Sequence, residues 1–210
     1  MAGTKQALEK AQLYLVLDRQ VCDYARLFEV LKQAAGAGVD VIQLRDKIGS
    51  SSEILEFAKH AVSYLEGRIP FIINDWVDLA MVSGVKAVHL GQEDLPIKLA
   101  RPMLGKKAII GVSCQSLAHA RQAEKQGADY IGFGSVFPTL TKPDRQLMDL
   151  KILKETAQKI KIPVFAIGGI TLENVGQLSL IGIKKIAVTR AICLADDVAK
   201  TVKQFRGYLG

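Results

Sequence analysis

Polar and charged residues gather directly behind short apolar runs along this chain. Gln43, Arg45 and Lys47 close the run VIQLRDK, Asn74 and Asp75 follow FII, and Gly91, Gln92, Glu93 and Asp94 follow AVHL. Further along, Ser113 ends IIGVS, Gly168 and Gly169 follow VFAI, and Thr189 and Arg190 follow KIAV. Arginine offers a planar fork and lysine a compact charge to phosphate oxygens, so Arg45, Lys47 and Lys142 form a candidate cationic cradle. Any one of them alone would read as solvated surface; their recurrence at run ends points to a site. Asp75 and Asp94 are hard oxygen donors suited to Mg2+, which takes one or two carboxylates and completes its shell with water and substrate phosphates. Each also precedes a helical segment, so helix capping is the competing account.

The same reading extends to the remaining candidates. Gly168 and Gly169 let backbone N–H groups approach a phosphate, with a plain tight turn as the alternative. Thr139 and Thr141 add hydroxyl donors. Ser113 has no histidine and acid placed to make it a nucleophile, and is read as a donor. His60 and His119 fall in helical segments as packing or surface residues. His89, penultimate in its run, either faces the site or is structural.

Something must bring these scattered positions together. Eight runs rich in Val, Ile, Leu and Phe recur as candidate strands: Leu13–Leu17, Val39–Leu44, Pro70–Ile73, Ala87–Leu90, Ala108–Val112, Tyr130–Phe133, Val164–Ile167 and Lys185–Val188. Segments with helical apolar spacing lie between them, among them Tyr24–Ala35, Glu53–Tyr64, Leu117–Gln126, Leu150–Lys159 and Leu172–Leu180, with a less distinct one near Asp94–Met103. Strict alternation of strand and helix implies parallel pairing with right-handed crossovers. Eight units predict an α/β fold, a single (β/α)8 TIM barrel over residues 1–210, with residues 1–11 as an N-terminal extension or helix. An open dinucleotide-binding sheet is the runner-up, but no G-x-G-x-x-G follows the first strand. In a barrel the strand ends share one mouth, where the polar residues above would converge.

Composition narrows the partners. The net charge of +7 suits an anionic ligand, yet the lysines form no basic block, so no nucleic-acid partner is expected. No apolar run approaches the ~18 residues of a membrane span and the N-terminus lacks a secretory pattern, which predicts a soluble cytoplasmic protein without membrane contact. Cys22, Cys114 and Cys193 show no metal or redox spacing and are expected to be reduced. A homo-oligomer is compatible with the sequence.

The strings VIQLRDK, FIINDWVDLA, AVHLGQEDLP, IGVS, ADYIGFGSVFPTLTK and FAIGGI occur in this order over nearly the whole chain, and together they resemble the thiamine phosphate synthase family. The resemblance implies a (β/α)8 barrel that joins a pyrimidine methyl diphosphate to a thiazole (carboxythiazole) ethyl phosphate, giving thiamine phosphate and pyrophosphate. It implies small phosphorylated substrates and Mg2+ held by Asp75 and Asp94. It assigns Gln43, Leu44, Arg45, Asp46, Lys47, Asn74, Ser113 and Lys142 to the pyrimidine diphosphate, with Arg45, Lys47, Ser113 and Lys142 serving catalysis. It assigns Thr139, Leu140, Thr141, Gly169, Thr189 and Arg190 to the thiazole phosphate. Three positions depart from the family pattern: Trp76 where Arg usually follows ND, Arg190 where Ser is frequent, and Gln115 where a histidine is frequent. The related thiazole tautomerases, the alternative reading, are expected to use a histidine in that last region. The segments Asp46–Ser51 and Ser135–Arg145 are expected to act as lids that exclude water.

Overall fold

The computed structural model describes residues 3–139 and 147–210. Eight parallel strands close into a barrel in chain order: β1 Leu13–Asp18, β2 Val41–Arg45, β3 Phe71–Asn74, β4 Ala87–Leu90, β5 Ile109–Cys114, β6 Tyr130–Phe133, β7 Val164–Ile167 and β8 Ile186–Val188. Leu13, Tyr14 and Leu15 of β1 pair with Ile186, Ala187 and Val188 of β8 to complete the ring. All eight expected strands are present. β4, β6 and β7 have the expected bounds, while β1 and β5 run on to Asp18 and Cys114 and β2 is displaced to end at Arg45.

The helices are α1 Gly3–Lys10, α2 Tyr24–Ala37, α3 Ser51–Leu65, α4 Val77–Ser83, α5 Ile97–Leu104, α6 Leu117–Lys125, α7 Leu150–Lys159, α8 Val175–Leu180, α9 Arg190–Cys193 and α10 Val198–Leu209. Local chemistry sets several of their ends. Asp23, Ser116, Asp149 and Asp197 cap N-termini through their side chains, and Ser50 with Glu53 forms a capping box on α3. Gly38 stops α2 with φ of 103°. The helix expected from Leu172 begins instead at Val175, because Asn174 Oδ1 accepts the Thr171 N–H at 2.9 Å and holds the preceding residues in a turn. Among the described residues no helix is long and apolar enough to cross a membrane.

Strands buried on both faces read as continuous apolar runs, and here every β1 and β2 residue is buried. Alternation sends Tyr14, Val16 and Asp18 of β1 inward and Leu13, Leu15 and Leu17 towards the helices. Below the mouth the barrel is plugged by Tyr14, Tyr130 and Phe165. Phe165 meets both tyrosines edge-on, at centroid distances of 5.4 and 5.8 Å. The Tyr130 ring fits because position 111 carries no side chain: a Cβ on Gly111 would overlap it. At the opposite end, Lys185 Nζ donates to the carbonyls of Glu9 and Ala11, both at 2.6 Å, and ties down the C-terminal end of α1.

Gly111→Ala should therefore overpack the barrel core. The expected cost is about 3 kcal/mol, the upper part of the usual range. At ~2–4 °C per kcal/mol for a chain of this size, thermal denaturation should show Tm lower by about 6–12 °C. An unchanged Tm would contradict the placement of the Tyr130 ring.

Candidate active site

The inward residues nearest the strand ends enclose a cleft of about 280 Å³ at the C-terminal mouth. Each strand contributes: Val16 and Asp18 from β1, Gln43 and Arg45 from β2, Asn74 from β3, His89 from β4, and Ser113 from β5. Gly132, Ile167 and Ala187 complete the ring from β6, β7 and β8. The small residues on β6 and β8 leave the open space.

A continuous hydrogen-bonded chain forms the floor. Gln43 Nε2 donates to the Tyr14 hydroxyl at 2.6 Å, the Tyr14 and Tyr130 hydroxyls meet at 2.8 Å, and Tyr130 meets His89 Nδ1 at 3.0 Å. His89 Nε2 then contacts Ser113 Oγ at 2.9 Å. Burial comes first among the causes that hold both phenols well above their ordinary pKa, so they stay neutral and act only as donors and acceptors. His89 thus both lines the cleft and has structural partners, which resolves its two sequence readings into one.

On the β2–β4 side lie cations and acids. Arg45 Nη1 donates to Asp18 Oδ2 at 2.6 Å and to Gln20 Oε1 at 2.8 Å. Lys47 pairs with Asp75, and the Asp75 carboxyl lies against that of Asp94, so one cation and two carboxyl groups form a compact group beside the cleft. Neither aspartate caps a helix. The α4 and α5 N-caps are Trp76 and Pro96, without side-chain cap bonds, and Asp94 Oδ2 instead accepts the Gly91 N–H at 2.6 Å. Asp75 sits at φ of 65°, a conformation that costs energy for a residue with a side chain and is found at functional sites.

Burial and the neighbouring Asp94 carboxyl raise the pKa of Asp75. For Asp94, burial pushes upward, but hydrogen bonds from Asp75 and the Gly91 N–H outweigh it and the net shift is down. Two carboxyl groups pressed together in this way favour a cation between or beside them. Apart from the Lys47 ammonium, Asp75 Oδ2 is cut off from solvent without a hydrogen-bond partner among the described residues. This donor set fits Mg2+, whose remaining oxygens come from water and substrate phosphate; among the described residues no group of three or more His, Cys, Asp or Glu forms a complete protein cage.

Two neighbours on β2 are placed differently. Leu44 is buried with its side chain on the helix-facing side, so only its backbone is available to a ligand. Asp46 is turned into its own loop: Oδ1 accepts the N–H groups of Ile48 and Gly49 at 2.8 and 2.7 Å, and Oδ2 takes the Tyr24 hydroxyl. Trp76 Nε1 donates to the Asp46 carbonyl at 3.3 Å, linking the β2 and β3 loops.

The opposite side of the cleft, at β6–β8, is built from Thr139, Gly168, Gly169, Thr189 and Arg190. Gly169 has φ of 62°, and a Cβ there would strike the Pro138 carbonyl. The glycine is needed for the loop after β6 to close on the loop after β7. Asn174 Nδ2 donates to the Gly169 carbonyl at 2.8 Å and steadies the same turn. Leu140, Thr141 and Lys142 lie outside the described residues.

Of the expected site residues, Gln43, Arg45, Asn74, Ser113, Thr139, Gly169, Thr189 and Arg190 meet at one cleft, with Lys47, Asp75 and Asp94 grouped beside it. Asp18 and Ser135, which also line the cleft, were not anticipated. Asp18 was legible in principle as the polar, inward-phased end of LYLVLD, two residues beyond Val16. Ser135 carried no signal apart from its place in the long β6 loop.

Comparison with known proteins agrees with this fold. A family model described as thiamine monophosphate synthase matches residues 13–192. The thiamine-phosphate synthase of Clostridium tetani (strain Massachusetts / E88) is 39% identical over 197 residues, covering 93% of this chain and 94% of its own. That of Syntrophomonas wolfei is 40% identical over 196 residues, covering 92% and 94%. Among solved structures, a thiamine phosphate pyrophosphorylase from Pyrococcus furiosus superposes with a TM-score of 0.85 at 35% identity, covering 98% of this chain and 96% of that one. The chain belongs to the thiamine monophosphate synthase family.

Proposed function

We propose that this chain is a thiamine-phosphate synthase of the cytoplasm, joining a pyrimidine methyl diphosphate to a thiazole phosphate with release of pyrophosphate. The observation that carries the reading is the division of the cleft. A cation and carboxylate group stands at β2–β4, a glycine-rich turn with Thr189 and Arg190 stands at β7–β8, and a neutral polar floor lies between them. Two anionic substrates could bind at the two sides with their uncharged rings meeting over the floor.

In the reaction the bond from the pyrimidine methylene to the diphosphate oxygen breaks, and the diphosphate leaves with the electron pair. The thiazole nitrogen then donates its lone pair to the methylene carbon. No protein nucleophile is required, and the residues act by holding both partners in line and by stabilising charge on the leaving group. Arg45, Lys47 and Lys142 hold the diphosphate, Gln43, Asn74 and Ser113 orient the pyrimidine, and Thr139, Thr141, Gly169, Thr189 and Arg190 hold the thiazole phosphate. Asp75 and Asp94 would hold Mg2+, which when bound neutralises diphosphate oxygens.

The purified protein given both substrates and Mg2+ should release thiamine phosphate and pyrophosphate, measured by chromatography. A chelator should lower the rate by about 100-fold or more, the scale of losing a metal's charge stabilisation. Consumption of the thiazole phosphate alone, without coupling, would instead indicate a tautomerase.

Asp75→Asn tests the metal assignment, since Asn tolerates positive φ and should preserve the fold while removing a charge. It should raise the Mg2+ concentration for half-maximal rate and cut kcat by about 100-fold. Unchanged Mg2+ dependence would remove Asp75 from the site. Arg190→Ser should raise KM for the thiazole phosphate by about 10-fold or more, the worth of a charge-assisted hydrogen bond, and leave KM for the pyrimidine diphosphate within about twofold. A change confined to the pyrimidine substrate would reverse the assignment of the two sides.

A further inference from the structure

The deepest carboxylate in the cleft has no part in the scheme above. Asp18 ends β1 fully buried, and its register partner on β2 is Arg45. Asp18 Oδ2 accepts from Arg45 Nη1 at 2.6 Å, while Oδ1 accepts the Gln20 N–H at 3.0 Å. That second bond fixes the turn from which Gln20 Oε1 reaches Arg45 Nη1 at 2.8 Å. Both N–H groups of Nη1 are therefore committed to one carboxylate and the residue it orders.

The other edge of the guanidinium makes no hydrogen bond among the described residues. Arg45 Nε is buried without a hydrogen-bond partner among the described residues, and Nη1 carries the guanidinium's hydrogen bonds there. The edge formed by Nε and Nη2 is the fork that matches two oxygens of a phosphate. Burying an ion pair seldom adds stability compared with apolar packing of the same volume, so stability alone gives little reason for a carboxylate here. Orientation does give one. An unanchored Arg45 could turn its fork or spread its donors among waters.

We propose that Asp18, acting with Gln20, is a positioning residue that holds Arg45 by Nη1 and presents its Nε and Nη2 edge to the diphosphate. The proposal rests on the reading of Arg45 as a diphosphate ligand. It also makes a claim of sign. If net charge governed binding, removing the Asp18 carboxylate would strengthen anion binding; if orientation governs, it weakens binding.

The test uses the full chain with Mg2+, titrated with inorganic pyrophosphate by calorimetry, beside steady-state KM values for both substrates. Asp18→Asn should weaken pyrophosphate by about 10- to 100-fold, the range for losing an orienting partner behind a ligand-binding group. KM for the pyrimidine diphosphate should rise with it, while KM for the thiazole phosphate stays within about twofold. Gln20 is exposed, so Gln20→Ala keeps the fold and should weaken pyrophosphate by several-fold even if Asp18→Asn fails to fold. In an Arg45→Lys background, Asp18→Asn should cost little more, because the effect acts through the guanidinium.

Arg45→Lys that leaves pyrophosphate binding unchanged would refute Arg45 as a ligand and the proposal with it. Weakened binding in Arg45→Lys, together with unchanged or tighter binding in Asp18→Asn and Gln20→Ala, would overturn the positioning role alone. An equal rise in both KM values would assign Asp18 to general stability and likewise overturn it.

Discussion

Closure of the parallel ladder is the constraint on which the rest depends. Once β8 pairs with β1, every strand's hydrogen bonds have partners and every second side chain is forced towards a common axis. The lower part of that axis is filled by Tyr14, Tyr130 and Phe165, and room for them comes from Gly111. Above them the axis cannot be apolar and also serve charged ligands. The polar residues there are buried and must satisfy one another, as the chain from Gln43 through Tyr14, Tyr130 and His89 to Ser113 does.

This floor divides electrostatic duties. Its phenols are kept neutral by burial, so it adds no charge to the cleft, and the charges stand at the rim. The rim is asymmetric. At β2–β4 the cations are partnered by acids, Arg45 by Asp18 and Lys47 by Asp75, which fixes side chains that would otherwise be mobile. At β7–β8 backbone turns do more of the positioning, with Gly169 shaped by the Pro138 carbonyl above it and Asn174 holding its own carbonyl below.

Strain and loop order are concentrated at the same rim. Asp75 takes a left-handed conformation with its N–H donating to the His89 carbonyl at 2.8 Å, so the β3 end is pinned to the β4 end that carries the floor histidine. Trp76 in turn reaches the Asp46 carbonyl, and Asp46 folds its loop around Ile48 and Gly49. Through these bonds the loops after β2 and β3 form one unit, with Trp76 as its neutral tether.

Much of this was readable from the sequence. Strand number, strand order and the gathering of polar strand ends at one mouth follow from apolar periodicity and alternation, which are local, and β4, β6 and β7 were bounded as found. Many of the polar residues that line the cleft were readable for the same reason, since a polar residue at the end of an apolar run has few other places to point. What the sequence left open was decided by contacts between residues far apart in the chain. Asp75 and Asp94 had cap positions available to them and instead came together, because β3 and β4 are neighbours in the ring. Leu44 lies between two cleft-lining residues and faces the helices, because side chains alternate and Gln43 and Arg45 took the inward phase. Asp18 found its partner only when β1 and β2 paired in register. Local sequence determined which residues could stand at the mouth; strand pairing, with its period of two and its closure across the whole chain, decided which of them face one another.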